Sequence, residues 1–220
     1  MVLMRYLREN KKLIFTAVSL PLFFFYLDRI SVSFLKNYVV RKSLVYDIFD
    51  YADPFISLIS HGITLIAVAI VLFLYGKFFN QKCYSAGKAL LIGIISSGVI
   101  VQVLKHLVGR VRPRLTDNLV LVGPSLQNGY DSFPSGHTTV AFCVAYILSS
   151  YYPRYRVLLY SWAVLIGFAR VEGLAHFPSD VLAGAVIGIL TAKLLVAKAV
   201  PTRSAFTKEP RERITQGMSS

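Results

Sequence analysis

Residues suited to phosphate chemistry occur in three short motifs between positions 105 and 180 of this 220-residue chain. The motifs are Lys105, six residues and Arg112-Pro113; the tetrad Pro134-Ser135-Gly136-His137; and Arg170, five residues, His176, three residues and Asp180. Lysine supplies a point charge, whereas arginine presents a planar fork that can bind two phosphate oxygens. Together, the three cations Lys105, Arg112 and Arg170 could neutralise a phosphomonoester dianion and its transition state.

The tetrad lies where a helix is expected to begin. Pro134 comes just before an apolar stretch, so Gly136 and His137 would belong to the first turn of that helix. The first backbone N–H groups of a helix have no partner within the helix and can face an anion. Ser135 can donate its hydroxyl to phosphate, and Gly136 leaves the backbone open to close approach. We therefore expect both residues to bind phosphate.

The third motif combines an imidazole with a carboxylate. Pro178 and Ser179 predict a helix start with Ser179 as the cap, which places His176 just before the helix and Asp180 in its first turn. A carboxylate that hydrogen-bonds to one ring nitrogen fixes the tautomer and leaves the other nitrogen free to attack. His176 is therefore the candidate nucleophile, and Asp180 is its partner.

These residues predict a two-step displacement. His176 attacks phosphorus in line and forms a phosphohistidine, while His137 protonates the departing alcohol oxygen. Water then hydrolyses the phosphohistidine, with His137 acting as the base. No metal or other cofactor is required, since the cations supply the charge neutralisation that magnesium provides in other phosphoryl transfers. A zinc site formed by His137, His176 and Asp180 is the chemical alternative.

The composition of the whole chain indicates a membrane protein of one domain. Hydrophobic residues make up 55% of it and its mean hydropathy is +0.58, above what is usual for soluble proteins. Six apolar stretches cover residues 13–27, 55–75, 89–104, 138–152, 157–168 and 181–200. We therefore predict an all-α fold, a polytopic bundle of six transmembrane helices over residues 1–200, with a polar and disordered cytoplasmic tail at 201–220.

The motif residues are expected at the edge of the bilayer. A hydrocarbon core of about 30 Å requires about 20 helical residues, and the third, fourth and fifth stretches are shorter than that. These helices must extend into flanking residues to cross, which brings the polar motifs to the water boundary. With six spans, the connectors 105–137 and 170–180 lie on the same side of the membrane.

The basic residues predict which side that is. The N-terminus, the connectors 76–88 and 153–156 and the tail from 198 carry fourteen Lys and Arg against three acidic residues; the connectors 28–54, 105–137 and 170–180 carry nine against eight. The positive-inside rule makes the first set cytoplasmic, so the motifs face the exterior or periplasm of a bacterial-type inner membrane. The first stretch lacks a following small-residue cleavage site, which argues against a removed signal peptide.

The connector 28–54 mixes apolar and basic residues and leaves two interpretations open. It contains either an amphipathic helix lying in the membrane interface or a loop folded over the bundle. Gly184 and Gly188, in the last stretch, form a small-xxx-small pair that predicts close helix packing. His61 and His106 have no partner at a readable spacing and are assigned to packing or interface roles.

The three motifs, in this order and spacing, resemble those of the type 2 phosphatidic acid phosphatase superfamily. The resemblance implies a six-helix membrane core and phosphate-binding roles for Lys105, Arg112, Ser135, Gly136 and Arg170. It also implies that His137 is the acid and that His176 and Asp180 form the nucleophilic pair. The family usually has a serine before the third-motif arginine, and this chain has Ala169 there, so one hydroxyl contact to phosphate would be missing.

The resemblance implies a substrate among phosphatidic acid, phosphatidylglycerol phosphate, undecaprenyl pyrophosphate and the phosphates of lipid A, with a preference for an envelope glycolipid or isoprenoid carrier. The partners expected are this lipid and the bilayer, with no obligatory protein partner. A nucleic-acid partner is disfavoured despite the net charge of +13, because the basic residues form no continuous stripe. A phosphotransferase using the same site, and a catalytically idle lipid-headgroup-binding or transport protein, remain the alternatives; a vanadate haloperoxidase is disfavoured because those relatives are soluble.

Overall fold

The computed structural model describes residues 26–39, 44–116 and 118–199, and these are almost entirely helical. The helices are α1 (26–34, followed by a π-helical turn Leu35–Val39), α2 (Leu44–Ser60), α3 (Gly62–Phe79), α4 (Gln81–Val108), α5 (Gly136–Tyr151), α6 (Arg156–Glu172) and α7 (Pro178–Ala199). A short 3-10 helix, Pro153–Tyr155, joins α5 to α6. The prediction of an all-α fold is confirmed.

Three of these helices have the length and hydropathy needed to cross a bilayer. They are Gly62–Phe79, Gln81–Val108 and, within α7, Pro178–Ala197. Helices α5 and α6, with 16 and 17 residues, are shorter than a full span. The six-span count is therefore not confirmed. The stretch 13–27 lies mostly outside the described residues, and the expected tail 201–220 lies entirely outside them.

The second predicted span, 55–75, is wrong as a single helix. The chain breaks at His61, which has an extended backbone (φ −69°, ψ 135°), so that α2 ends at Ser60 and α3 begins at Gly62. The hydroxyl of Ser60 donates to the carbonyl of Ile56 at 2.7 Å, and glycine next to the break has a poor helix propensity. Apolar composition continues through this point, and for that reason the break was missed.

Helix α5 lies at the centre of the bundle and contacts α4, α6 and α7. The contact with α7 depends on the small-residue pair predicted from the sequence. A Cβ atom at Gly184 would lie 2.7 Å from the carbonyl oxygen of Ser135, and one at Gly188 would lie 2.2 Å from that of Thr139. Close packing at both glycines is confirmed, and it places the start of α7 beside the start of α5.

Replacing Gly188 by alanine is expected to destabilise the bundle by about 1–3 kcal/mol, because the added methyl group meets backbone that cannot move aside. Thermal unfolding in detergent measures the effect. Val186→Leu is the matched control, since it adds one methylene group to an exposed side chain of the same helix. An equal loss of stability in the two variants would contradict this account of the contact.

Large apolar side chains cover the outer surfaces of α3, α4, α6 and α7. Exposed examples are Ile63, Val71 and Phe78 on α3, Ile95 and Val99 on α4, Val164 on α6, and Val186 and Leu194 on α7. Apolar surface of this extent is suited to lipid and unsuited to water. Together with the three candidate spans, it identifies an integral membrane protein.

Candidate active site

The connector between α4 and α5 folds against the start of α7 through backbone hydrogen bonds. The amide of Ser132 donates to the carbonyl of Arg110 at 3.0 Å, and the amide of Arg112 donates to that of Gly129 at 2.9 Å. The amide of Ser135 then donates to the carbonyl of Asp180 at 3.0 Å. The second and third sequence motifs therefore meet directly, although they are separated by a whole helical hairpin.

His176 is buried, and its ring is oriented by the backbone of the connector. Nδ1 lies 2.7 Å from the carbonyl oxygen of Ser132. A carbonyl can only accept, so this contact requires the proton on Nδ1 and leaves the lone pair of Nε2 free. The expected hydrogen bond to Asp180 is not formed, because Nδ1 lies 3.7 Å from Oδ2 of that residue. Asp180 contributes negative charge beside the ring, and Ser132 selects the tautomer.

The carboxylate of Asp180 is fully buried and is occupied by other donors. Oδ2 accepts from the hydroxyl of Ser132 at 2.5 Å and from the amide of Phe177 at 2.9 Å, and Oδ1 accepts from Arg110. The bond to Phe177 joins the first turn of α7 to the residue before the helix, as in one half of a capping box. The prediction that Ser179 caps this helix is therefore wrong, and Asp180 has that function.

Ser179 and Arg110 belong instead to a buried ion-pair network with Asp28. Arg110 is 1% exposed; its Nη2 donates to Asp28 Oδ2 at 2.7 Å and its Nη1 donates to Ser179 Oγ at 2.7 Å and to Asp180. The amide of Ser179 donates to Asp28 Oδ1 at 2.9 Å. The guanidinium also lies over the ring of Phe177, 4.0 Å from its centroid. One buried cation thus ties α1 to the start of α7.

Lys105 and Arg112 converge on one carboxylate. Asp131 accepts from Arg112 Nε at 2.9 Å and from Arg112 Nη2 at 2.6 Å, and Lys105 Nζ lies 3.4 Å from the same carboxylate. This is the two-pronged geometry with which arginine also binds phosphate. The carboxylate of Asp131 is 31% exposed, so an incoming anion can reach the position it occupies.

Arg170 has one donor paired and one donor waiting. Its Nη2 forms an ion pair with Asp53 of α2, whose carboxylate is 51% exposed. Its Nε is buried and has no hydrogen-bond partner in the described part of the chain. A buried guanidinium N–H without an acceptor carries a cost of desolvation, and a bound anion would remove that cost.

The residues of the tetrad lie at the start of α5 beside these cations. Ser135 is its N-cap and is buried, and its Oγ lies 2.9 Å from Oγ1 of Thr138. A Cβ atom at Gly136 would meet only Lys105 Cε, at 3.9 Å, and Val101. His137 interacts electrostatically with Arg170, His176, His61 and Lys105. The structure therefore brings the eight residues selected from the sequence into one region.

Burial lowers the pKa of His176 below its ordinary value, and the charges of Lys105 and Arg112 add to that effect, whereas Asp180 opposes it. The ring is thus neutral at neutral pH, as a nucleophile requires. Burial alone would raise the pKa of Asp131, but hydrogen bonds from Arg112 and the charge of Lys105 hold it well below its usual range. Asp131 therefore stays ionised opposite its two cations.

The ring of His176 is expected to remain neutral at pH values where an ordinary histidine, with a pKa of about 6.5, is half protonated. Its protonation should be complete only at lower pH, and folding stability should fall in the same direction, because the unfolded chain binds this proton more readily. Nitrogen NMR of histidine-labelled protein in detergent measures this. The chain has four histidines, and His176→Asn identifies the signal. A midpoint at or above that of free histidine would contradict the expectation.

A groove of about 610 Å³ opens between α3 and α4 and leads to the site. Its outer part is lined by apolar residues, among them Ile63, Ile66, Ile95 and Val99. Its inner end is lined by Lys105, His137, His61 and Gln102. A Cβ atom at Gly98, midway along, would meet nothing within 4 Å, so the groove is open there.

Several residues of this region were missed in the sequence. Asp28, Asp53, Arg110 and Asp131 are the main ones, and a charged residue near the end of an apolar stretch was the available signal. Glu172, expected to be solvated, is buried.

Two further side chains bear on phosphate and metal binding. Ala169, in the position of the family serine, packs in an apolar cluster with Ile56, Ala163 and Ile166. Among the described residues, no group of three or more His, Cys, Asp or Glu side chains is placed to hold a metal ion.

Comparison with known proteins identifies relatives of this architecture. The family model of the PAP2 superfamily matches residues 86–203. A lipid A 1-phosphatase of Rhizobium etli is 34% identical over 141 residues, which cover 56% of this chain and 60% of that protein. This chain thus spans less than two thirds of the length of that relative.

Two solved structures share the fold. The crystal structure of a transmembrane PAP2 type phosphatidylglycerolphosphate phosphatase from Bacillus subtilis matches with a TM-score of 0.60 and 26% identity, over 86% of this chain and 100% of that chain. The crystal structure of Aquifex aeolicus LpxE matches with a TM-score of 0.55 and 28% identity, over 78% of this chain and 93% of that chain.

Proposed function

This chain belongs to the PAP2 superfamily, and from that premise we propose that it is a metal-independent phosphatase acting on a membrane lipid phosphate through a phosphohistidine intermediate. The observation that carries the proposal is the groove between α3 and α4, which is apolar toward the bilayer and ends at Lys105 and His137. A lipid chain fits the first part and a phosphate the second. The activities named for the relatives, on lipid A and on phosphatidylglycerolphosphate, agree with such a substrate.

The phosphate binds where the cations now hold carboxylates. An entering phosphate takes over the donors of Lys105 and Arg112 from Asp131, and it accepts from the unused Nε of Arg170. The exchange replaces one anion by another of higher charge, which favours the phosphate. The backbone N–H groups at the start of α5, around Gly136, add further donors.

The first chemical step forms a bond between phosphorus and Nε2 of His176 and breaks the bond between phosphorus and the lipid oxygen. Nε2 carries the free lone pair, because the proton of the ring is held on Nδ1 by the carbonyl of Ser132. His137 gives a proton to the departing oxygen. The positive charge that develops on His176 is stabilised by the buried carboxylate of Asp180, 3.7 Å from Nδ1.

The second step releases inorganic phosphate. A water molecule attacks phosphorus, His137 takes a proton from it, and the bond between phosphorus and Nε2 breaks. His176 and His137 return to their starting states. We place these steps at the outer face of a bacterial inner membrane, on the basis of the distribution of Lys and Arg. Labelling of an Asn128→Cys variant in intact cells with a membrane-impermeant thiol reagent tests this placement, and labelling only after permeabilisation would reverse it.

The direct test uses the purified protein in detergent, with a chelator present, and a panel of lipid monophosphates and diphosphates. Release of inorganic phosphate is expected without added metal. Activity that disappears on chelation and returns with zinc would overturn the mechanism. Binding without release would favour the idle headgroup-binding alternative, and phosphorylation of an added alcohol in place of phosphate release would favour the phosphotransferase.

A further inference from the structure

The groove places the leaving group of the substrate on a definite side of the site. Of the two catalytic imidazoles, His137 lines the groove and His176 does not. In an in-line displacement the leaving group departs opposite the nucleophile, toward the acid that protonates it. On the proposed mechanism, the part of the lipid next to the ester oxygen therefore lies in the inner end of the groove.

Two side chains there have hydrogen-bonding groups that the mechanism does not use. His61 stands at the break between α2 and α3, with its ring centroid 6.1 Å from that of His137. Its side chain is exposed and makes no capping hydrogen bond to α3. Gln102 lines the groove from α4, one helical turn before Lys105.

The amide of Gln102 is out of place in a purely lipid-facing wall. It is exposed on a helix whose neighbouring outward side chains, Val99 and Val103, are apolar, and within the described chain no hydrogen bond to its side chain is formed. An amide facing hydrocarbon without a partner is costly. A ligand with hydroxyl or amide groups at this point removes the cost.

We propose that His61 and Gln102 form a leaving-group subsite that selects lipids with a hydroxylated or amide-bearing headgroup next to the phosphate, and disfavours bare prenyl or alkyl phosphates. The two residues contribute from opposite walls of the groove, His61 from the start of α3 and Gln102 from α4. Both can donate and accept hydrogen bonds. A sugar or a glycerol offers the matching groups, whereas a prenyl chain offers only the ester oxygen. The inference rests on the proposed phosphatase activity and deepens it.

The test compares three lipids in one detergent: an acylated glucosamine 1-phosphate, phosphatidylglycerophosphate and farnesyl monophosphate. His61→Phe and Gln102→Leu preserve bulk and remove the hydrogen-bonding groups. Each is expected to lower kcat/KM about tenfold on a lipid with a polar headgroup, as the loss of one hydrogen bond does. Hydrolysis of farnesyl monophosphate should change less than about twofold. The two polar lipids distinguish a sugar from a glycerol as the preferred group.

His106→Phe is the matched control, because His106 lies on α4 outside the groove lining and contacts the carbonyl of Ser125. It is expected to leave the ratio between polar and prenyl substrates unchanged. An equal fall on all three lipids in the His61 and Gln102 variants, or no fall on any, would overturn the subsite. Failure of the wild-type protein to hydrolyse any of the three would overturn the phosphatase activity itself, and the subsite with it.

Discussion

Replacing His176 by alanine is expected to reduce phosphate release on the order of 10⁴-fold or more, since it removes the nucleophile and with it the covalent route. The protein should remain folded, because alanine leaves a small cavity and no unpaired charge. Single-turnover and steady-state release from a lipid phosphate in detergent measure the loss. The wild-type protein, quenched during turnover with labelled substrate, should carry acid-labile phosphate that the variant lacks.

His106→Ala serves as the control for this substitution. It removes an imidazole from the same protein at an exposed position, where the ring contacts only the connector. Activity within a few fold of wild type is expected. Comparable activity in wild type and His176→Ala would remove the nucleophile from the mechanism. Loss of activity with the phosphoenzyme still formed would instead assign the covalent bond to another residue, and His137 would be the next candidate.

Replacing Arg110 by alanine is expected to cost about 3–5 kcal/mol of stability, because it leaves the buried carboxylates of Asp28 and Asp180 without their shared cation. The loss should also reduce activity, since Asp180 stands beside the nucleophile. Thermal unfolding in detergent, followed by a probe of helix content, measures the first effect. Arg110→Lys should recover only part of the stability, because one ammonium cannot reproduce the fork that serves both carboxylates.

Arg114→Ala is the matched control for Arg110→Ala. It makes the same change in the same connector, four residues away, at an exposed position. A change within about 0.5 kcal/mol is expected. If both variants unfolded at the same temperature, the network around Arg110 would contribute little to stability, and its role would be limited to orienting Asp180.

The partners of the motif cations show where sequence reasoning stopped. Lys105, Arg112 and Arg170 were selected by residue type and spacing, and they lie where a phosphate would be bound. Their carboxylate partners, Asp131 and Asp53, belong to no motif. A salt bridge between positions more than a hundred residues apart leaves no periodic signal in the chain, so only the folded structure reveals which acid faces which base.

The orientation of His176 illustrates the same limit at the scale of one hydrogen bond. The sequence favoured Asp180 as the group that fixes the ring, because a carboxylate four residues away is a common arrangement. In the structure a backbone carbonyl, that of Ser132, holds Nδ1. Every residue has a carbonyl, so residue type carries no information about which one will act in this way.

The sequence by itself determined the all-α class, the membrane environment, the close contact at Gly184 and Gly188, and the set of residues suited to phosphate chemistry. These follow from composition and short-range spacing, which depend on local chemistry alone. Tertiary structure decided the break at His61, the buried network of Arg110 and the groove beside His137. Each of these arises where segments distant in the chain pack together, and the energy of such contacts depends on geometry that local sequence does not encode.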